Sequence, residues 1–459
     1  KGLFGLIGRT GAGASPRLVD PNWRFHWPVG IGFALLCFLL NYPGRLNADS
    51  LFSVVAAEAP GLTNNWHSAT LGWFWSLPAP LGGQPAAALI MQVTLFGIFA
   101  GFLPRFPRNP REQAVLTGEL LLRLVLSGSL GYICKDSTIF LTLLIAVQLA
   151  RRSIGRGFSV MGMAIFIAVI ALFLLSKTPN FMVIVVAGAV IAPFFCQVVA
   201  MYLVLMIILL VAGALAIPLN RTVDSRIFAA RNLHPDKQLV LFDLAGISVR
   251  TGQNAFDSVR GWPTSTLQSV ASCYVPYMWD SFAHWTPCGG YAAAYDRLDG
   301  PLTQRWLIEI ARIFGHFRHR LTYVRYLLES RDHATWGIDG QAINDATSPD
   351  ALAEMRREMA DLHSDRVVGL WRPSAATDAM RWLERLLFKF PKAQGAGLIA
   401  CLSVLLLSCI RRNDGVRFGA ILSAGLGVGN FAMLVVFGVA DPGRYMLLTI
   451  GLAYVAFWR

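Results

Sequence analysis

Charge is scarce in this 459-residue chain: Lys, Arg, Asp and Glu make up 15% of it, against 55% hydrophobic residues and a mean hydropathy of +0.51. So little charge excludes intrinsic disorder, which needs low hydrophobicity and high charge, and it lies far from the balance of a soluble globular domain. Cysteine is sparse too, with seven residues in the whole chain, which excludes a small disulfide scaffold. No HExxH or CxxC spacing occurs, and the glycine-rich start GLIGRTGAGAS lacks the Lys-Ser/Thr ending of a phosphate loop. What is abundant is apolar and aromatic, with 29 Phe, 13 Trp and 11 Tyr that need burial in protein or lipid. The chain reads as a mainly α, polytopic helical membrane protein.

The charge that exists is unevenly spread. Residues 219–394 hold 21 of the 40 basic and 19 of the 27 acidic side chains, so that block is nearly neutral. The remainder keeps 19 bases against 8 acids, mostly in short clusters between apolar runs: Arg105, Arg108 and Arg111, then Arg151, Arg152 and Arg156, then Arg411, Arg412 and Arg417. Such clusters read as cytoplasmic loops of a membrane protein, and no nucleic acid is implied. Apolar runs predict about ten spans, near 25–41, 85–103, 114–133, 138–150, 157–176, 181–197, 198–218, 395–410, 418–439 and 446–458. The uncharged stretch from Phe181 to Pro218 would run roughly 57 Å as one helix, about twice the hydrocarbon thickness, so it is expected to fold back near Pro193 to Gln197. With two crossings there, all the basic clusters share the cytoplasmic side with Arg9, Arg17 and Arg24. No cleavable signal segment is expected.

This path divides the chain into a transmembrane bundle of about seven helices over 1–218, an extracytoplasmic domain over 219–394, and about three further transmembrane helices over 395–459. The first bundle carries an outer loop at 41–84. Within 219–394 the run QLVLFDLAGISVR at 238–250 looks strand-like and the run at 304–331 looks helical, so the domain reads as α+β or helix-rich. The amphipathic stretch MRWLERLLFKF at 380–390 is expected to lie on a bilayer surface. Cys273 and Cys288, the only cysteines of this block, are expected to pair in an oxidising compartment.

Candidate chemistry gathers at the outer ends of the spans. Asp49 follows the turn Tyr42-Pro43-Gly44 and either caps a short helix over Ser50 to Ala59 or takes a proton from a hydroxyl at the membrane surface. Lys135 and Asp136 open the fourth span, where a cation can bind a phosphate and a carboxylate can orient an acceptor or a metal ion; the alternative is a snorkelling lysine and a helix cap. His67, after Trp66, can contact a phosphate or a sugar, or pack at the interface. Arg444, in the turn from Asp441 to Tyr445, can meet a phosphate or a headgroup. Glu119 and Arg123, four apart inside the third span, are an intramembrane pair that either serves function or neutralises itself. His316 and His319 stand three apart, but Arg318 and Arg320 beside them disfavour a metal.

Together, the YPG turn followed by NADS, the Trp-His, the Lys-Asp pair and the late Arg-Tyr resemble the GT-C superfamily of polyprenyl-phosphate-sugar-dependent membrane glycosyltransferases. They cover roughly the first 150 residues and the last 20 or so. The resemblance implies a multi-helix bundle in the bacterial cytoplasmic (inner) membrane, with residues 219–394 in the periplasm and an active site at the membrane surface. It implies Asp49 as the base acting on the acceptor, Asp136 as a second acid, and Lys135 and Arg444 as holders of the lipid phosphate, with Tyr42 and His67 beside the substrate. The implied partners are a polyprenyl-phosphate sugar donor, a glycan, lipid or protein acceptor, and membrane lipids. No cofactor is required except, as an open case, a divalent cation. Ser50 stands where a second acid is usual and Ser68 where proline is usual. The chemistry implied is an inverting displacement at the anomeric carbon. A multi-helix transporter or lipid flippase is the rival class, although no repeated halves are evident; an acyl or phosphoethanolamine transferase lacks its nucleophile constellation.

Overall fold

The computed structural model describes residues 23–46, 49–51, 53–54, 63, 65, 68–104, 110–129, 132–153, 159–177, 180–191, 203–204, 207–208, 211, 215, 218–263, 265–284, 286–312, 314–329, 374–388, 393–410, 418–438, 449 and 452–453. The chain is mainly helical. In order come β1 (Trp23–Phe25), α1 (Trp27–Asn41), β2 (Arg45–Leu46), α2 (Ala69–Ser76), α3 (Ala86–Gly101), β3 (Phe102–Pro104), α4 (Pro110–Ser129), β4 (Tyr132–Ile133), α5 (Lys135–Ser153), α6 (Val160–Ser176) and α7 (Asn180–Ile191). A π-helical segment (Val223–Ile227) leads to α8 (Lys237–Thr251), α9 (Leu267–Cys273), α10 (Gly290–Ala311), α11 (Phe314–Glu329), α12 (Ala375–Phe388), α13 (Ala393–Ile410) and α14 (Phe418–Phe437). The expected turn at Pro193 to Gln197 lies outside the described residues, as does most of 198–218 and of the span 446–458.

Small residues set the helix pairing in the bundle. A Cβ at Gly97 would sit 2.9 Å from both Ala34 Cβ and the Gly30 carbonyl, so α1 and α3 approach backbone to backbone through Gly30, Gly97 and Gly101. Gly425 and Gly429 of α14 do the same against α7, where a Cβ at Gly429 would lie 3.1 Å from the Ala187 amide. This small-xxx-small spacing lets two helix backbones approach closely. Gln92, Ser127, Thr138 and Thr142 are buried, while Ile31, Leu35 and Leu39 on α1 and Ile399, Leu402 and Leu406 on α13 point outward. Among the described residues, no single helix is long and apolar enough to cross a membrane; α6 and α7 pass together as a pair bent by 119°, and α1 and α3 are shorter apolar helices.

The 219–394 block is built around α8. The strand-like expectation for 238–250 is overturned: that run is the buried helix α8, with Val240, Leu241, Phe242, Leu244, Ala245 and Ile247 all in the core. A short continuous apolar run does not distinguish a buried strand from a helix that is covered all round, and here α9, α10 and α11 pack around it. The helix closes at Gly252, in the left-handed region at φ 72°, whose N–H reaches the Ser248 carbonyl at 2.9 Å. The other run, 304–331, is helical as expected but broken into the end of α10 and α11. Cys273, at the end of α9, is bonded to Cys288 with their Cα atoms 5.9 Å apart, inside the usual disulfide range. α12 packs on the C-terminal ends of α4 and α1, its Thr377 hydroxyl donating to the Leu40 carbonyl at 3.3 Å.

Candidate active site

The loop that follows α1 and the α4–α5 loop are stitched into one site by a short parallel strand pair. α1 ends at Asn41, whose buried amide donates to Cys37 O at 2.8 Å and to Ser127 O of α4 at 2.9 Å, fixing where the loop begins. The chain then turns through Pro43 and Gly44. Gly44 has φ +123°, and a Cβ there would fall 2.8 Å from Ile133 Cδ1 and 3.0 Å from the Pro85 carbonyl, so this position needs glycine on both conformational and steric grounds. β2 follows and pairs with β4, Arg45 opposite Tyr132 and Leu46 opposite Ile133.

That pairing brings Asp49 and Lys135 together although 86 positions separate them in the chain. Residues 49–51 have helical backbone, the Ser50 hydroxyl donates to the Ile133 carbonyl, and the Ser53 hydroxyl donates to the Asp49 carbonyl at 2.8 Å. Lys135 Nζ lies 3.4 Å from Asp49 Oδ2, with the lysine side chain 18% and the aspartate 36% exposed. Asp136 sits in the first turn of α5, where a carboxylate favours the helix N-terminus, and its Oδ2 is 3.5 Å from the Cys134 thiol. Tyr42 stands exposed at the turn with its ring 5.4 Å from that of Phe38. His67 and Arg444 lie outside the described residues. Glu119 and Arg123 are closed on each other at 2.8 Å, and the guanidinium also donates to the Phe102 carbonyl at 2.8 Å and the Ala100 carbonyl at 3.2 Å, which clamps the end of α3 rather than lining a path.

The loop also touches the 219–394 block. Arg231 N–H donates to Thr63 O at 2.8 Å, Asn65 N–H donates to Arg231 O at 3.0 Å, and the Asn65 amide oxygen accepts from Leu233 N–H at 2.7 Å. Asp49's loop and the block therefore lie on the same side of the bundle. The chain is similar to no family model, curated protein or solved structure.

Two features escaped the sequence. Asp224, in the π-helical segment, lies against α2, and burial pushes its carboxyl up to about 6, opposed by the nearby Ala69 backbone N–H. A folded value raised above the unfolded one means that the stability from this group is complete below the ordinary carboxyl range and is lost as pH rises through 6. Asp224→Asn is expected to raise the melting temperature at pH 7.5 and to leave it unchanged near pH 4; equal gains at both pH values would refute the assignment. The signal available in sequence was a lone acid soon after an uncharged run.

The second is a buried polar network on α8. Asp243 receives Arg320 Nη2 at 2.7 Å, Trp306 Nε1 at 2.8 Å and His319 Nε2 at 3.0 Å, with His316 Nε2 at 3.5 Å. His319 Nδ1 in turn meets the Tyr274 hydroxyl at 2.9 Å. Burial alone would raise the Asp243 carboxyl, but the Arg320 charge and the two histidine hydrogen bonds hold it well below the usual carboxylate range. Burial lowers His319, with Arg320 and His316 adding to it and Asp243 opposing. The two histidines that sequence spacing singled out thus converge on a carboxylate. Among the described residues, no group of three or more His, Cys, Asp or Glu side chains is arranged to hold a metal ion.

Proposed function

We propose that the chain is a membrane glycosyltransferase that moves a sugar from a polyprenyl-phosphate donor to an acceptor outside the cytoplasm, a cell-envelope glycan, lipid or protein. The observation that carries this reading is the Asp49–Lys135 pair, a carboxylate and an ammonium 3.4 Å apart, the first in the loop that follows α1 and the second at the start of the buried helix α5. The outward leucines and isoleucines, the buried glutamine and threonines, and the glycine-mediated helix contacts support a bundle solvated by lipid, because that combination would be costly in water. The contact between Thr63, Asn65 and residues 231–233 supports a periplasmic 219–394 domain beside the same loop in a bacterial inner membrane. The resemblance of the Tyr42-Pro43-Gly44, Asp49 and Lys135-Asp136 pattern to GT-C enzymes supplies the substrate class.

In this mechanism the acceptor hydroxyl attacks the anomeric carbon from the face opposite the leaving group. Asp49 takes the hydroxyl proton as the new C–O bond forms, and the polyprenyl phosphate departs with the electrons of the broken bond. Lys135 steadies the phosphate, where negative charge grows in the transition state. Asp136 orients the acceptor; the resemblance gives Tyr42, His67 and Arg444 roles toward the substrate, the last two lying outside the described residues. A transporter or flippase is the less favoured reading, because Glu119 and Arg123 satisfy each other and two backbone carbonyls. The test is transfer by the purified protein in proteoliposomes, offered radiolabelled polyprenyl-phosphate sugars with a panel of envelope acceptors. Product with inverted anomeric configuration is expected; no transfer from any such donor, or transfer from a nucleotide sugar instead, overturns the proposal.

A further inference from the structure

Single exposed apolar side chains are ordinary on any protein surface, but a contiguous stripe of large ones marks a place where something other than water sits. α11 carries such a stripe within the 219–394 block. Phe314 is 66% exposed, Phe317 59% and Leu321 55%, and at helical spacing these three fall with Leu328 inside a sector of about 60° round the helix. The opposite face belongs to the block. Gly315 packs on Ile247 and Thr251 of α8, while the rings of His319 and Tyr323 meet Phe242 edge to face.

The stripe continues beyond α11. Its last member, Leu328, lies against the start of α13, where a Cβ at Gly395 would be 3.6 Å from the Leu328 carbonyl and 4.0 Å from its Cδ2. Gly395, Ile399, Leu402 and Leu406 recur at spacings of four, three and four, so they share one face of α13, and the last three are exposed. The apolar sector of α11 therefore runs into the outward apolar face of α13 as one surface. On one flank of the sector, Arg320 reaches the Gly438 carbonyl at 2.7 Å, just past the last turn of α14. α13 begins and α14 ends here, so α11 lies across one end of that helix pair. On the other flank stand Arg318 and Arg325, both exposed, with the Arg318 guanidinium 4.8 Å from the centre of the Phe314 ring.

We propose that the stripe of Phe314, Phe317 and Leu321 on α11 is an interfacial anchor that beds the 219–394 block into the headgroup layer of an anionic bilayer. Position and charge select lipid as the partner. The surface is continuous with the α13 face that lipid solvates in the membrane reading above. α11 crosses helix ends, the level at which a bilayer passes from hydrocarbon to headgroups. The two arginines border the apolar sector on the side away from the bundle, where their stems cover apolar surface and their guanidiniums pair with headgroup phosphates. This assignment rests on the membrane part of the proposed function and adds to it a second contact with lipid. It sets the height of the block, which meets the Asp49 loop through Arg231 and Leu233, over the bilayer.

The test is spin-label depth on the full chain in nanodiscs, with one cysteine introduced at a time. Phe314→Cys, Phe317→Cys and Leu321→Cys report on the stripe, Ile399→Cys on α13 is the lipid reference, and Ser258→Cys in the polar loop after α8 is the water reference. All five side chains are exposed, so the substitutions spare the core, and labelling of the parent chain supplies the background. Collisions with oxygen, which concentrates in lipid, are expected to exceed those with a water-soluble nickel chelate several-fold at the three stripe positions and at Ile399, with the reverse at Ser258. Exchanging phosphatidylcholine for phosphatidylglycerol is expected to deepen the three stripe labels, and Arg318→Gln with Arg325→Gln to abolish that response. Stripe labels that favour the chelate would overturn the anchor. So would labels shielded from both collision partners, since a second copy or another segment of this chain would then cover the stripe, and so would a depth that ignores headgroup charge. If Ile399 favours oxygen while the stripe favours the chelate, only the anchor falls; if Ile399 favours the chelate as well, the membrane reading falls first.

Discussion

Asp49→Asn is expected to lose sugar transfer by roughly 10²- to 10⁴-fold while still binding the polyprenyl-phosphate sugar, the range a positioned general base contributes. The substitution is chosen because it separates the two roles open to this residue. Asn caps a helix about as well as Asp, so a residue whose only role is in the helical turn at 49–51 would tolerate the change. The Ser53 hydroxyl bonds the backbone carbonyl of residue 49, not its side chain, and survives the substitution. Lys135 loses a counter-charge at 3.4 Å, but the pair is partly open to solvent, so the effect on stability should stay within about 1 kcal/mol. Rates and donor affinity measured on the same proteoliposomes decide the matter. A variant that transfers at the parental rate would remove Asp49 as the base; one that melts far below the parent would show that its role is structural.

The parts of this architecture that were legible in sequence are those where a local pattern has one solution. Long apolar runs became α1, α3, α4, α5, α6, α13 and α14, with boundaries moved by a few residues. The turn at Tyr42-Pro43-Gly44 was visible because glycine and proline punctuate a chain, but the steric reason for Gly44 was not, since it lies in Ile133 and Pro85, far along the chain. Asp49 and Lys135 could be named separately from their positions at helix ends; that β2 and β4 bring them within 3.4 Å needed the strand pairing. Residues 238–250 misled because α8 is covered on all sides, which erases the one-sided periodicity that marks a surface helix. Gln92, whose side-chain oxygen accepts from Thr138, carried no sequence signal at all. A buried amide in an apolar run reads the same whether or not it has a partner.

The largest loss of stability is expected at Asp243. Asp243→Ala should destabilise the fold by about 3–5 kcal/mol, because deleting one member of a buried ion pair strands the other. Arg320 is 4% exposed, and without the carboxylate its guanidinium keeps the Gly438 carbonyl at 2.7 Å and its place near the rings of Phe242 and Tyr323, none of which carries a negative charge. His319 and Trp306 would each lose the acceptor for a buried N–H as well. The damage should spread beyond the 219–394 block, because the same arginine reaches from α11 to the end of α14 and joins that block to the C-terminal helix pair. Asp243→Asn, which keeps an acceptor oxygen and the shape, should cost less than alanine. Arg320→Met combined with Asp243→Ala should recover much of the loss, since an absent pair is cheaper than a broken one. The pH dependence has a definite sign. The Asp243 carboxyl is held low and His319 is lowered by burial, so the stability both contribute is present at neutral pH and falls as pH drops through the histidine and then the carboxylate range. Melting temperatures of the full chain in detergent across pH 4 to 8 check each point, and an Asp243→Ala protein that melts within a degree or two of the parent would show that the network does not hold the block to the bundle.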